Sequence, residues 1–151
     1  MAAELSTIHA SAVLIGAHAL LIIGPPASGK SRLAFALIEA AHAGHLDFAR
    51  LVGDDRVHVE AVHGRLLVRP AAVLAGLIEV RGLGIRRLPY EPVALVGGVV
   101  ELAAGDASRL LGPESTEAVI AGIHLPRLAV AVGVNPLPLV LAWQRTANAI
   151  A

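Results

Sequence analysis

A Gly-Lys-Ser triplet set between an apolar run and an amphipathic one constrains this chain more than any other feature. The octet Gly24-Pro25-Pro26-Ala27-Ser28-Gly29-Lys30-Ser31 fits the phosphate-loop pattern of Gly, four variable residues, then Gly-Lys-Ser. Residues 19–23 before it read as a buried strand and residues 31–38 after it as a helix, which is the context the motif requires. Lys30 is the one lysine among 151 residues; the other eleven of the twelve Lys and Arg are arginine, so general surface chemistry does not account for it.

Each position in the octet has a physical purpose. Gly24 and Gly29 allow the tight curl that turns backbone N–H groups inward onto phosphate oxygens, with Pro25, Pro26, Ala27 and Ser28 forming the arc between them. The helix behind the loop adds its positive N-terminal end. Lys30 is the residue type that reaches the outer phosphates, and the Ser31 hydroxyl is the type that coordinates their magnesium.

Composition narrows the partners. Net charge is zero, with no basic run or aromatic platform, which argues against nucleic acid. The absence of cysteine excludes disulfides and thiolate metal sites and fits a reducing cytoplasm. No basic residue precedes Lys30, as a secretory signal would need, and the apolar stretch 10–24 is broken by Gly16 and His18 and too short to cross a bilayer. The expectation is a soluble cytoplasmic domain. Hydrophobic residues make up 56% of the chain, enough for a compact core or for oligomer contacts.

Along the chain, residues 8–14 and 19–23 read as a hairpin leading into the loop. The helix after Lys30 carries Leu33, Ala34, Leu37, Ile38 and Ala41 at core spacing and should stop near Gly44. Residues 49–53 form a short strand ending at Asp54-Asp55-Arg56, and residues 57–62 and 65–68 a hairpin across His63-Gly64. A helical or irregular crossing at 70–77 precedes Ile78-Glu79-Val80-Arg81 and the turn Gly82-Leu83-Gly84. Residues 93–102 read as a strand in which Gly97-Gly98 marks a bulge or a close approach. Residues 103–126 are polar and turn-rich, 128–134 a late strand, and 139–150 a C-terminal helix.

Three further sites attract notice, each with a plain alternative. Asp54 and Asp55 are two of only four aspartates and fall at a strand end, where a phosphate-loop protein needs a carboxylate for magnesium or for proton transfer; a solvated turn is the other reading. Glu79 and Arg81 interrupt an apolar strand and could simply pair on a solvent face. His9, alone in a strand, suits a satisfied core position as well as a catalyst.

Taken in order, His9, the loop 24–31, Leu51-Val52-Gly53-Asp54-Asp55-Arg56-Val57 and Ile78-Glu79-Val80-Arg81-Gly82-Leu83-Gly84-Ile85 resemble the catalytic domain of HPr kinase/phosphorylase, in the short form found in alphaproteobacteria. The Glu-Val-Arg-Gly-Leu-Gly-Ile stretch is the most specific part. The resemblance covers the first 85 residues well and the remainder loosely. It implies a single-domain α/β fold over 1–151, a phosphoenolpyruvate-carboxykinase-like mixed β-sheet with a phosphate loop and flanking helices, without the N-terminal domain of long forms. It implies ATP and Mg2+, phosphorylation of a serine on HPr, and reversal by inorganic phosphate with release of pyrophosphate, in a hexamer that touches neither nucleic acid nor membrane.

Residue by residue, the resemblance makes Lys30 the phosphate-loop lysine and Ser31 a magnesium ligand, with Glu79 the second. His9 takes the place of the active-site histidine, and Asp55 that of the residue that accepts the seryl proton and returns it in reverse. Arg109 is the candidate for the downstream catalytic arginine, and Arg127 falls where the family has a loop used mainly in dephosphorylation. Two other readings share the phosphate loop: a small-metabolite kinase, which gives no account of residues 79–85, and a regulatory module that binds nucleotide without turnover.

Overall fold

The structure, a computed structural model, describes residues 7–107 and 116–146. Its frame is a curled nine-stranded sheet: seven strands run in the order β1 (Thr7–Ile8), β5 (Val57–Val62), β6 (Arg65–Pro70), β9 (Ala94–Leu102), β3 (His18–Ile23), β2 (Ser11–Ile15) and β4 (Ala49–Gly53), and the other two, β11 (Ile123–Val130) and its partner β10 (Glu117–Ile120), attach through β9. β1 (Thr7–Ile8) pairs with β5 (Val57–Val62), and β2 (Ser11–Ile15) and β3 (His18–Ile23) form the expected hairpin. β4 (Ala49–Gly53) covers the far edge of β2, while β5 and β6 (Arg65–Pro70) form the second hairpin.

The nine-residue strand β9 (Ala94–Leu102) organises the rest. One of its edges runs parallel to β3; the other pairs with β6 at its start and runs parallel to β11 (Ile123–Val130) at its end. Near Gly97-Gly98 the register slips, so Ala19 lies opposite Val96 but Leu20 opposite Gly98. The slip resets the alternation: Val96 and Val99 both enter the core on one face of the sheet, while Val100 and Leu102 enter the other. Both glycines are also crowded, since a Cβ on Gly97 would stand 2.7 Å from His18 Cβ and one on Gly98 3.0 Å from Trp143. Bulge and close approach coincide there.

Two cores result. One lies within the curl of the sheet, built from Leu21, Val57, Leu66, Val68 and Val99 among others. The second lies under α1 (Lys30–His42) and α2 (Pro136–Arg145), where Ile22, Leu33, Leu37, Leu51, Val100 and Val140 meet. The buried stripe of α1 is Leu33, Ala34, Leu37, Ile38 and then Ala40, one position short of the expected Ala41. A 3-10 turn at Ala72–Leu74 leads to the small separate hairpin of β7 (Leu77–Val80) and β8 (Gly84–Arg87).

Two late boundaries depart from expectation. β10 (Glu117–Ile120) and the first half of β11 occupy a stretch that reads as turns, because Pro126 sits within β11. Pro126 pairs with Glu117, the first residue of the outer strand β10, one position before β11 begins its pairing with β9 at Arg127. α2 begins at Pro136, three residues early, because proline is accepted in a first helical turn and Asn135 caps it by accepting from the Leu137 N–H.

Candidate active site

The phosphate-loop octet leaves β3 and enters α1 as one tight arc. Gly24 is required for contact as much as for conformation: a Cβ there would lie 2.6 Å from Ser28 Oγ and 3.0 Å from the Leu102 carbonyl oxygen. Gly29 precedes the helix at φ +98, and α1 has no acidic residue in its first turn, so its free N–H groups and positive end face the loop. Lys30 Nζ donates to the carbonyl oxygens of Gly24 (3.0 Å) and Pro25 (3.1 Å), holding the ammonium across the arc. The buried Ser28 Oγ has no hydrogen-bond partner among the described residues, an open valence inside an anion cradle.

The two adjacent aspartates do different things. Asp54 is 4% exposed and accepts from Ser11 Oγ (2.6 Å), from Ser31 Oγ (2.8 Å to each oxygen) and from the Glu79 N–H (3.2 Å). One carboxylate thus ties β2, α1 and β7 together. Asp55 follows at φ +68, a left-handed conformation uncommon outside glycine, and is exposed. Asp55, unlike Asp54, lines a cavity of about 1060 Å³.

His9, Ser11, Asp55, Glu79 and the loop residues Gly24, Pro26, Ala27, Ser28, Gly29, Lys30 and Ser31 all line that one cavity. Pro25 is represented by its carbonyl on Lys30. Arg109 lies outside the described residues. Arg127 does not line the cavity and stands in a strand, not a loop: its guanidinium donates to both oxygens of Asp106 (2.9 and 3.0 Å) and its Nε to Glu101 (3.1 Å). The hydrogen bonds Arg127 donates to Asp106, joined by the one to Glu101, hold the proton of this 9%-exposed side chain more firmly than usual. Glu101 pairs with Ile23, the residue before the loop, so this cluster braces the sheet edge from which the loop springs.

Residue types also fit a divalent cation held with phosphates. Ser31 gives its proton to Asp54, which leaves its oxygen lone pairs free, and the Glu79 carboxylate opens onto the same cavity. This is a hard, all-oxygen set suited to magnesium, which takes few protein ligands alongside substrate phosphates. No group of three or more His, Cys, Asp or Glu side chains that could hold a metal exists among the described residues.

The family model described as HPr Serine kinase C-terminal domain matches residues 1–89. The chain belongs to this family. An HPr kinase/phosphorylase of Streptococcus thermophilus is 31% identical over 148 residues, covering 86% of this chain and 43% of that protein. One from Clostridium beijerinckii is 37% identical over 78 residues, covering 52% of this chain and 24% of the relative. The chain therefore spans less than half the length of these curated relatives. Among solved structures, the Hpr(Ser) kinase/phosphatase from Coxiella burnetii superposes with a TM-score of 0.74 at 25% identity, over 93% of this chain and 94% of that one. The mixed α/β architecture is the one this family member has.

Five lining residues are not among the candidate site residues the sequence yields: Ser11, Arg32, Phe35, Val80 and Arg81. Asp54 was recognised only as one of a pair. Alternation along β4, with Leu51 and Val52 entering opposite cores, signals that an inward position follows, but not that Asp55 is the one of the pair that lines the cavity.

Proposed function

We propose that this domain transfers the γ-phosphoryl group of ATP to a seryl hydroxyl of the phosphocarrier protein HPr, and catalyses the reverse phosphorolysis by inorganic phosphate to give pyrophosphate. The observation that carries the proposal is the meeting of Lys30, Ser31, Asp55, His9 and Glu79 in one cavity of a chain belonging to the HPr serine kinase C-terminal domain family.

In the forward direction the seryl oxygen attacks the γ-phosphorus, its proton passes to the Asp55 carboxylate, and ADP leaves. In reverse, an oxygen of inorganic phosphate attacks the phosphorus of phosphoserine, the proton on Asp55 returns to the seryl oxygen, and pyrophosphate leaves. Lys30 and the loop N–H groups offset the charge on the transferring group. Asp54 holds Ser31 and the backbone of Glu79 at fixed positions. Those two residues would hold magnesium, which when bound neutralises phosphate charge. His9, which lines the same cavity, is assigned the role of partner to Asp55, and Arg109 that of the further arginine of the reaction.

ATP and HPr as reactants assign the reaction to the cytoplasm; no helix of the described residues is long and apolar enough to cross a membrane. Exposed Val132 and Leu139 near α2 support self-association, hexameric by the family resemblance. The test is incubation of the purified chain with HPr, ATP and magnesium, followed by mass spectrometry of HPr. One phosphoryl group on a serine is expected. Tight ATP binding with unmodified HPr would contradict the proposal and favour a regulatory module.

A further inference from the structure

We infer that the wall of the cavity formed by Arg32, Phe35, Val80 and Arg81 seats the base of the nucleotide by stacking. The inference rests on the reading of this cavity as a nucleoside-triphosphate site. The loop 24–31 and the residues around it account for one end of the cavity, where phosphates and reacting groups belong. About 1060 Å³ is more than a triphosphate group needs and lies at the top of the range for whole small-molecule sites.

The remaining wall has its own chemistry. Arg32 is the first residue after Ser31, and Phe35 follows three positions later on the same side of α1. α1 packs against β7, so Val80 at the end of β7 and Arg81 in the turn beyond it border the same space. Phe35 is one of four aromatic residues in the chain and the one that lines this cavity. It is half-buried and, like Val80, packs its inner side on the helix-side core, which fixes the ring.

Arg32 and Arg81 are both exposed, and neither forms an ion pair or hydrogen bond with another described residue. Two flat unpaired guanidinium groups, an anchored aromatic ring and an aliphatic side chain are the residue types that take up a planar base through its faces. Backbone N–H groups at the start of α1 would take the inner phosphates, which directs the rest of a nucleotide toward this wall.

Calorimetric titration with the magnesium complexes of ATP and of methyl triphosphate, which carries the same charge without a nucleoside, tests the assignment. Wild-type protein should bind ATP roughly tenfold tighter or more. Phe35→Leu should remove most of that advantage and leave methyl triphosphate affinity unchanged. Because Phe35 touches the core, Arg81→Ala in the exposed turn provides an independent variant with the same expected pattern. Equal affinities of wild type for the two ligands, or variants that weaken both ligands equally, would overturn the base site alone. Binding of neither ligand would instead overturn the nucleotide reading, and the base site with it.

Discussion

Ser31 Oγ lies 2.8 Å from both carboxylate oxygens of Asp54, the buried member of an aspartate pair whose other member opens onto the cavity. The first residue of the pair is a structural tie and the second is exposed. The backbone changes between them as well, Asp55 standing in the left-handed conformation.

Asp54→Ala should destabilise the fold by about 1–3 kcal/mol, because it leaves the fully buried Ser11 hydroxyl without its partner. Urea denaturation of the variant measures this. Asp54→Asn keeps one acceptor oxygen and should lose less. Unchanged stability in Asp54→Ala would contradict the tie between β2, α1 and β7.

Asp55→Asn should leave the fold and ATP affinity intact, since the side chain is exposed and asparagine tolerates positive φ. Both phosphorylation and phosphorolysis should fall by about 10²–10⁴-fold, the range for losing a general acid–base group. Steady-state rates beside a binding isotherm separate the two effects. Wild-type turnover would remove Asp55 from the mechanism.

Glu79→Gln keeps the backbone N–H on Asp54 and removes only the charge. The magnesium concentration giving half-maximal transfer should rise several-fold, and chelation of magnesium should stop transfer in wild type and variant alike. An unchanged magnesium dependence would exclude Glu79 as a ligand.

Arg127→Ala should cost about 2 kcal/mol, between the values for surface and buried ion pairs, because the Arg127 side chain is largely covered while Asp106 and Glu101 are partly open to solvent. Forward and reverse rates should then decline together, as expected for a brace behind the loop. A selective loss of phosphorolysis would restore a direct part for Arg127 in dephosphorylation.

The first half of the chain was legible because local signals agree there. Apolar runs in β2 and β3 and alternation in β5 are joined to their partner strands by Gly-containing turns, and the helix begins directly at Lys30. Past residue 103 the signals conflict. Pro126 lies inside a strand and Pro136 opens a helix, so residues that usually end elements here belong to them. Tertiary pairing with β9 and a side-chain cap decide both cases. The site followed the same division: loop, histidine and acids were readable as types at spacings, but the inward turn of Asp54 and the joining of Phe35 to Arg81 depend on how α1 packs on β7.

Phosphate exchange on HPr tests the central claim most directly. HPr is first labelled from γ-labelled ATP by the magnesium-loaded protein, and excess inorganic phosphate is then added. The account predicts label on a seryl residue that afterwards leaves as pyrophosphate, with neither step in Lys30→Ala. Label that never reaches HPr, or that departs as inorganic phosphate by hydrolysis, would contradict it.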